Sequence, residues 1–138
     1  MKYKGKEIER LIPQRKPMVM VDEFEATAEN AALTTLFVRA DNLFTLPDGT
    51  LAETGLIEHV AQSAAALAGY QSASDGEPRI GLIGEVKHFG CRRRPQAGEV
   101  VHTAIEFGFS FGSVTLVQGH CRIDEEEIAS ANLKIFMQ

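Results

Sequence analysis

The chain has 138 residues, of which 44% are hydrophobic and 24% are charged, and its formal net charge is −5 at pH 7. This length and composition predict one globular domain over residues 1–138 and exclude a disordered chain. The acidic balance argues against nucleic acid as the main partner. No apolar stretch reaches the roughly 18–20 residues of a membrane span.

The cysteines and the N-terminal residues indicate the cellular compartment of the protein. Cys91 and Cys121 form no Cys-x-x-Cys pair, and no set of histidines and acids has metal-ligand spacing. The basic residues at the start are not followed by the apolar run of a signal peptide. We therefore expect a cytoplasmic protein with free, reduced thiols and with no metal or cofactor.

The first third of the chain predicts short elements. Lys6 to Leu11 is expected to form a short helix that Pro13 stops. Val19–Glu25 and Ala32–Val38 are rich in β-branched and apolar residues and predict a hairpin. Leu46 to Gly49 reads Leu-Pro-Asp-Gly, which predicts a turn because proline presets φ and glycine accepts positive φ.

Thr54–Tyr70 is the one strong helix in the sequence, with Thr54 as the expected N-cap. Its apolar residues recur at three- and four-residue steps, as in Leu56, Val60, Ala64 and Leu67. The segment is rich in alanine, so the helix is thin and a sheet backbone can approach it closely. We expect curved strands to wrap around it.

The second half of the chain predicts antiparallel strands after a loop at Ser72–Pro78. Apolar and polar residues alternate along these segments, as expected for strands with one buried face. The predicted strands are Ile80–Phe89, Glu99–Phe109, Val114–Ile123 and Ile128–Met137. The order of elements predicts an α+β fold in which one helix packs in a sheet of five to six strands. A lone sheet leaves an open edge, so a dimer is expected.

Three motifs carry a family resemblance. Leu11 to Asp22 reads Leu-Ile-Pro-Gln-Arg-Lys-Pro-Met-Val-Met-Val-Asp and resembles the opening Leu-Leu-Pro-His-Arg-Tyr-Pro-Phe-Leu-Leu-Val-Asp of β-hydroxyacyl-acyl carrier protein dehydratases. Gly55 to Gln62 resembles their helix entry, Gly-Val-Leu-Ile-Ile-Glu-Ala-Met-Ala-Gln. Arg94 to Glu99 is similar to their Arg-Pro-Val-Val-Pro-Gly-Asp turn.

The resemblance implies a hot-dog fold and a function. The implied reaction is dehydration of a 3-hydroxyacyl thioester in fatty-acid or polyene biosynthesis, with an acyl carrier protein or coenzyme A as the thioester partner. A homodimer, a higher oligomer or a heterodimer with a related dehydratase is the implied assembly.

The chain departs from the family at its catalytic histidine. The family carries that base in a Gly-His-Phe-Pro motif before the helix. Here Leu43 to Gly49 fills the region, no histidine precedes His59, and Gln14 replaces the histidine of the opening motif. In this the chain resembles divergent dehydratase-like proteins of aryl polyene pathways, which keep the helix glutamate. Only Glu58 is carried over as a catalytic residue, and the dyad is altered.

The residues at the helix start suggest a site. Dehydration needs a base, an acid and a donor for the thioester oxygen, and helix amides supply such donors. We expect Glu58 to be catalytic, Gly55 to allow close approach of a carbonyl and Leu56 to line the pocket. Gln62 is placed to orient the Glu58 carboxylate across one helical turn.

Other residues are candidates by chemistry alone. His59 is the nearest imidazole in sequence and is the second catalytic candidate, although it is rotated about 100° from Glu58 around the helix. His88 is expected to point inward or toward a dimer seam. Arg15 and Arg93 are candidates for binding the phosphate of a carrier and its acidic surface.

Three functions remain open from the sequence. The first is a dehydratase with an altered dyad, in which Glu58 works with a water or an imidazole. The second is a hot-dog acyl thioesterase, which needs no histidine because a carboxylate can activate water. The third is a non-catalytic subunit that supports a true dehydratase.

Overall fold

The computed structural model describes residues 2–72 and 81–137. It contains one α-helix, one 3-10 helix and seven strands in these ranges. They are β1 (Lys2–Lys4), a 3-10 helix (Gly5–Arg10), β2 (Glu23–Ala28), β3 (Ala31–Phe37), α1 (Glu53–Gln71), β4 (Gly81–Cys91), β5 (Val100–Phe111), β6 (Val114–Ile123) and β7 (Glu126–Met137).

The strands form one antiparallel sheet in the order β1-β2-β3-β5-β6-β7-β4, and α1 packs against one face of it. This arrangement confirms the α+β prediction of a single helix in a curved antiparallel sheet. The described sheet has seven strands rather than five to six because the three-residue β1 adds to β2 at one edge. We call the face that packs on α1 the inner face and the opposite face the outer face.

The start of α1 corrects the predicted N-cap. The helix begins at Glu53, and its N-cap is Ala52, with φ −61° and ψ 152°, rather than Thr54. Ala52 is held there because its N–H donates to the carbonyl of Phe44 at 2.9 Å. The loop before the helix therefore fixes where the helix begins.

Small residues allow other segments of the chain to approach α1 closely. Ala64, Ala65 and Ala66 are at most 3% exposed. A Cβ at Gly69 would overlap the main-chain carbonyl of Leu11, so only glycine fits at that crossing. The helix is therefore buried along most of its length.

The alternation of the strands is confirmed, while several ends differ. Val101, Thr103 and Ile105 of β5 are buried on the inner face, and His102 is exposed on the outer face. β6 has the predicted ends. β2 begins at Glu23 rather than four residues earlier because the main chain at Met20 bonds to helix side chains instead of a strand.

The remaining predictions concern short segments. The predicted helix at Lys6–Leu11 is the 3-10 helix, and the predicted turn is present, with φ +86° at Gly49. The predicted loop at Ser72–Pro78 lies outside the described residues apart from Ser72, as does Ile80. No helix in the described parts of the chain combines the length and hydropathy needed to cross a membrane.

Candidate active site

Glu58 lies in the second turn of α1 and is half-buried. Its Oε2 accepts a hydrogen bond from Nε2 of Gln62 at 2.7 Å. The spacing of four residues predicted this contact, and the structure contains it. Within residues 2–72 and 81–137, no hydrogen bond occupies the other carboxylate oxygen of Glu58. One oxygen is therefore held by the helix while the second is open to another partner.

Gln62 is 1% exposed and connects α1 to the segment before β2. Its Nε2 also donates to the carbonyl of Met18 at 2.9 Å, and its Oε1 accepts the N–H of Met20 at 2.6 Å. Both amide hydrogens and the amide oxygen are used, so the orientation of the side chain is fixed. The Glu58 carboxylate is thereby tied to the backbone of residues 18–20 as well as to the helix.

His59 is fully buried and has both ring nitrogens engaged. Because a carbonyl only accepts, Nδ1–H donates to the carbonyl of Met20 at 2.6 Å. Nε2, 2.8 Å from Thr103 Oγ1, accepts that hydroxyl hydrogen. Burial lowers the pKa of His59 to about 4, so the ring is neutral at pH 7. No ring nitrogen is left for a substrate, which contradicts the prediction that His59 is catalytic.

A buried polar layer surrounds His59. Thr103 Oγ1 lies 3.4 Å from the Cys121 sulfur, and burial raises the pKa of the Cys121 thiol to about 11. Ser63 Oγ donates to the His59 carbonyl at 2.8 Å, and Thr34 Oγ1 lies 2.8 Å from Ser63 Oγ. These groups satisfy one another in the core. In the sequence, only Thr103 pointed to this layer, because it is a polar residue at a position of β5 where the alternation predicts an apolar, inward-facing one.

Gly55 serves a different purpose from the one predicted. A Cβ at this position would lie 2.7 Å from the Phe44 Cβ and 3.0 Å from the Leu51 Cγ. The missing side chain therefore makes room for the preceding loop rather than for a substrate carbonyl. The N–H groups of Gly55 and Leu56 both donate to the Ala52 carbonyl, at 2.8 and 3.3 Å.

Leu56 is a core residue, with 0% exposure. This burial contradicts its predicted place in a substrate pocket. The first free amides of the helix in the described chain are those of Glu53 and Thr54, one turn before Glu58. Donors for a thioester oxygen are thus available at the helix start, but not from the two residues that the sequence suggested.

The loop between β3 and α1 stands where the dehydratase motif carries its histidine. Its turn is closed by Asp48, whose Oδ1 accepts the N–H of Thr50 at 2.9 Å and its hydroxyl at 2.7 Å. Leu51 N–H donates to the Pro95 carbonyl at 2.8 Å, and Phe44 packs against Gly55. The loop brings apolar side chains to the helix start and contains no acid–base histidine.

The two candidate arginines are bound within the chain. Arg15 donates to the carbonyls of Ile12 and Gln14, at 2.8 and 2.9 Å, and to that of Glu9, at 3.2 Å. It closes the end of the opening motif. Three of its five guanidinium N–H groups are thus engaged while the side chain stays exposed, so its contact with a carrier phosphate remains a prediction.

Arg93 is occupied by carboxylates. It donates to both oxygens of Glu99, at 3.0 and 3.2 Å, and to Glu126, at 3.2 Å. The guanidinium holds the pKa of Glu99 below its usual range. The structure therefore contradicts a phosphate-binding role for Arg93, because a phosphate would have to displace both acids.

His88 lies on β4, which is an outermost strand of the sheet. It is exposed, its φ is +52°, and it sits where the pairing of β4 with β7 slips between Lys87 and Gly90. The prediction that it points into the core is wrong, because the irregularity turns this part of β4 toward solvent. Its position at the sheet edge leaves contact with a second chain possible.

Four cavities in the described part of the chain lie away from Glu58. Two cavities of about 380 Å³ lie on the outer face, and cavities of about 840 and 870 Å³ lie beside the C-terminal end of α1. None of these four is lined by Glu58. Among the described residues, no group of three or more histidines, cysteines and acids is arranged to hold a metal ion.

Comparison of the sequence with models of protein families identifies the family of this chain. The sequence model of the ApeP-like group, described as ApeP dehydratase, matches residues 6–138. The chain belongs to the ApeP-like dehydratase family. This confirms the resemblance to aryl polyene pathway dehydratases. No protein of curated function matches the chain.

Solved structures support the fold of this ApeP-like chain. It is similar to the dehydratase heterocomplex ApeI:P from Xenorhabdus doucetiae, with a TM-score of 0.87, 18% identity and coverage of 95% of this chain and 90% of that one. It is also similar to Cj0977, a sigma28-regulated virulence protein from Campylobacter jejuni, with a TM-score of 0.73, 11% identity and coverage of 99% and 94%.

A thioesterase is among the similar structures. A hypothetical thioesterase with coenzyme A from Streptococcus pneumoniae TIGR4 has a TM-score of 0.66 at 11% identity, with coverage of 83% and 84%. At these identities the similarity shows the fold, and it confirms the hot-dog prediction. Both dehydratase and thioesterase structures share it, so the fold does not choose between those reactions.

Proposed function

We propose that this ApeP-like chain is the glutamate-bearing subunit of a 3-hydroxyacyl thioester dehydratase, and that a second dehydratase chain supplies the histidine. One observation carries the proposal. The carboxylate of Glu58 is held at a defined position by Gln62, while the neighbouring His59 is buried with both nitrogens engaged. The chain thus offers an acid–base carboxylate without an imidazole of its own beside it.

The two groups divide the elimination between them. An imidazole from the partner removes the α-proton, the electrons of that C–H bond form the C2–C3 double bond, and the C3–O bond breaks. The Glu58 carboxyl delivers a proton to the departing hydroxyl, so that water and a 2-enoyl thioester leave. The imidazolium and the carboxylate then re-equilibrate with solvent before the next turnover.

The two edges of the sheet differ in a way that favours pairing through β4. The β1 edge has three residues and carries Lys2 and Lys4, which discourage strand addition. The β4 edge has eleven residues, and its Ile83 and Val86 are 39% and 37% exposed. We expect a dehydratase chain with an intact histidine motif to add along β4.

The substrate class follows from the reaction and the family. We expect a fatty or polyene 3-hydroxyacyl group carried as a thioester of an acyl carrier protein or coenzyme A. Arg93 is held by two acids, so we assign the contact with the carrier phosphate to exposed cations near the opening motif and the turn, Arg15, Lys16 and Arg92.

The test measures turnover of 3-hydroxyacyl-carrier protein by mass, with the chain alone and with a dehydratase chain that has the histidine motif. We expect loss of one water from the substrate with the pair, and at least a tenfold lower rate with Glu58→Gln, equivalent to about 1.4 kcal/mol of barrier. Glu125→Gln, an exposed acid on the β6–β7 turn, is the matched control.

Other results of the same test assign other functions. Release of free acid instead of loss of water would make the chain a thioesterase in which Glu58 activates water. An active pair that is indifferent to Glu58→Gln would make it a supporting subunit. Dehydration by the chain alone that disappears in His88→Ala would place the imidazole on β4 of a second copy.

A further inference from the structure

One irregularity in the sheet exposes two phenylalanines. Phe107 pairs with Val117, but Ser110 pairs with Thr115, so β5 carries one extra residue between these points. Strict alternation would put Phe107, Phe109 and Phe111 on one face. The extra residue breaks that alternation, because a one-residue slip reverses the faces of the side chains that follow. Phe107 packs on the core, whereas Phe109 and Phe111 are 69% and 75% exposed.

Phe111 begins an apolar row that crosses four strands of the outer face. Phe111 pairs with Val114, Val114 with Phe136, and Phe136 with Leu82. Directly opposed residues point to the same side of a sheet. A Cβ at Gly84 would overlap the Phe136 ring, so the ring lies over the β4 backbone. We call these four paired residues the outer apolar row.

The outer apolar row is unusual for a face that meets water. Phe111, Leu82 and Phe136 are 75%, 49% and 40% exposed. No charged residue occurs from Phe107 to Val117, although 24% of the chain is charged. Contiguous exposed apolar surface on a folded protein marks a contact site. Since the bulge is what turns Phe111 outward, the local backbone is built to present this surface.

A polar row with opposite charges at its ends runs parallel to the apolar one. Glu106 pairs with Gln118, Gln118 with Asn132, and Asn132 with Lys87. A groove of about 380 Å³ follows this row and is also lined by Leu116. Glu85, between the two rows, lies 3.3 Å from Lys134 and 3.5 Å from Lys87. These side chains are at least 40% exposed, so both are weak surface pairs that Lys87 can exchange for an acid on a second copy. We call the four paired polar residues, Glu106, Gln118, Asn132 and Lys87, the outer polar row.

The outer polar row is complementary to itself. A two-fold axis parallel to the strands, between β6 and β7, turns the outer face of one copy onto that of another. It places Lys87 of each copy opposite Glu106 of the other, and Asn132 opposite Gln118. The same operation places the apolar rows on each other. A contact between identical surfaces is what two-fold symmetry requires.

We propose that the outer face binds a second copy of this chain, with the two sheets stacked face to face about 10 Å apart. The rows carry both signs of charge in equal number, so they match a second copy better than an anionic membrane. This contact uses the face of the sheet and leaves the β4 edge free. It is independent of the catalytic activity proposed above.

The test measures the mass of the purified full chain in solution by light scattering and native mass spectrometry. Lys87→Glu or Glu106→Lys alone puts like charges opposite each other in the stacked pair. We expect each to shift the face-to-face association to at least tenfold higher protein concentration. The double variant Lys87→Glu with Glu106→Lys restores opposite charges, so association should return. Arg122→Glu, at the other end of the outer face, is the control.

Two further variants separate this contact from pairing at the sheet edge. Phe111→Ser should abolish the face-to-face contact. At protein concentrations too low for the wild type to associate, it should leave the thermal midpoint unchanged, because the side chain is exposed. Ile83→Lys, on the inner side of β4, should disturb only edge pairing. An unchanged mass in Phe111→Ser, or a double charge variant that does not recover, overturns the proposal. So does binding to anionic lipid vesicles that Phe111→Ser removes.

Discussion

The buried imidazole of His59 makes the stability of this protein depend on pH in a calculable way. Its pKa is lowered from 6.5 to about 4 because the ring is fully buried. The unfolded chain therefore binds this proton more tightly than the folded chain does. The contribution of neutral His59 to the free energy of unfolding is fully present above pH 6.5. It is lost as the pH falls from 6.5 toward 4.

The size of the effect follows from the two pKa values. Each pKa unit corresponds to about 1.4 kcal/mol, and the loss develops over roughly two and a half units. Between pH 7 and pH 5 the His59 contribution amounts to about 2 kcal/mol of the free energy of unfolding. The carboxylates that titrate near pH 4–5 add a background, so the prediction concerns a difference between two proteins.

The assay is urea denaturation at pH 7 and pH 5 of the wild type and of His59→Gln, at equal protein concentration. Glutamine does not titrate and keeps a donor for the Met20 carbonyl. We expect the wild type to lose about 2 kcal/mol more than the variant between these pH values. His102→Gln, an exposed position, serves as the control. Equal losses in wild type and His59→Gln would refute the buried, neutral assignment.

Three other variants and a labelling experiment follow from the same contacts. Gln62→Leu should lower kcat of the active pair at least tenfold with a smaller change in KM, and Gln62→Glu should shift the pH profile, both measured by substrate turnover. Gly55→Ala should cost about 1–3 kcal/mol in urea denaturation, because its Cβ meets Phe44 at 2.7 Å. Cys121, buried with a pKa raised to about 11, should resist iodoacetamide at pH 7.5 until the protein unfolds, and rapid labelling of the folded protein would contradict this.

Local patterns predicted the fold well. The period of α1 and the alternation of β5 to β7 are properties of neighbouring residues, and they gave these elements nearly the right ends. The Gln62–Glu58 hydrogen bond was predictable for the same reason, since a helix fixes the separation of residues four apart.

Contacts between distant segments were not predictable. His59 meets Met20 and Thr103, which lie 39 and 44 residues away along the chain. Sequence shows that Arg93 carries a charge but not that Glu99 and Glu126 already bind it. The bulge in β5 was also invisible, because an unbroken Phe-x-Phe-x-Phe pattern predicts a single face.

His59 cannot replace the catalytic histidine that this chain lacks in the loop before the helix. In the dehydratases that the sequence resembles, the catalytic histidine belongs to a motif before the helix. Here that loop carries Phe44 and Leu51 against Gly55, and the only histidine of the helix stands where the motif has alanine. A catalytic imidazole must exchange a proton with the substrate. His59 has no free nitrogen for this, because its Nδ1–H donates to the Met20 carbonyl and its Nε2 accepts the hydroxyl hydrogen of Thr103. His59 holds the carbonyl of Met20, and Gln62 accepts the N–H of the same residue. His59 and Gln62 together hold the segment to which Glu58 is tied, and in the function proposed above the accessible imidazole comes from a chain added at β4.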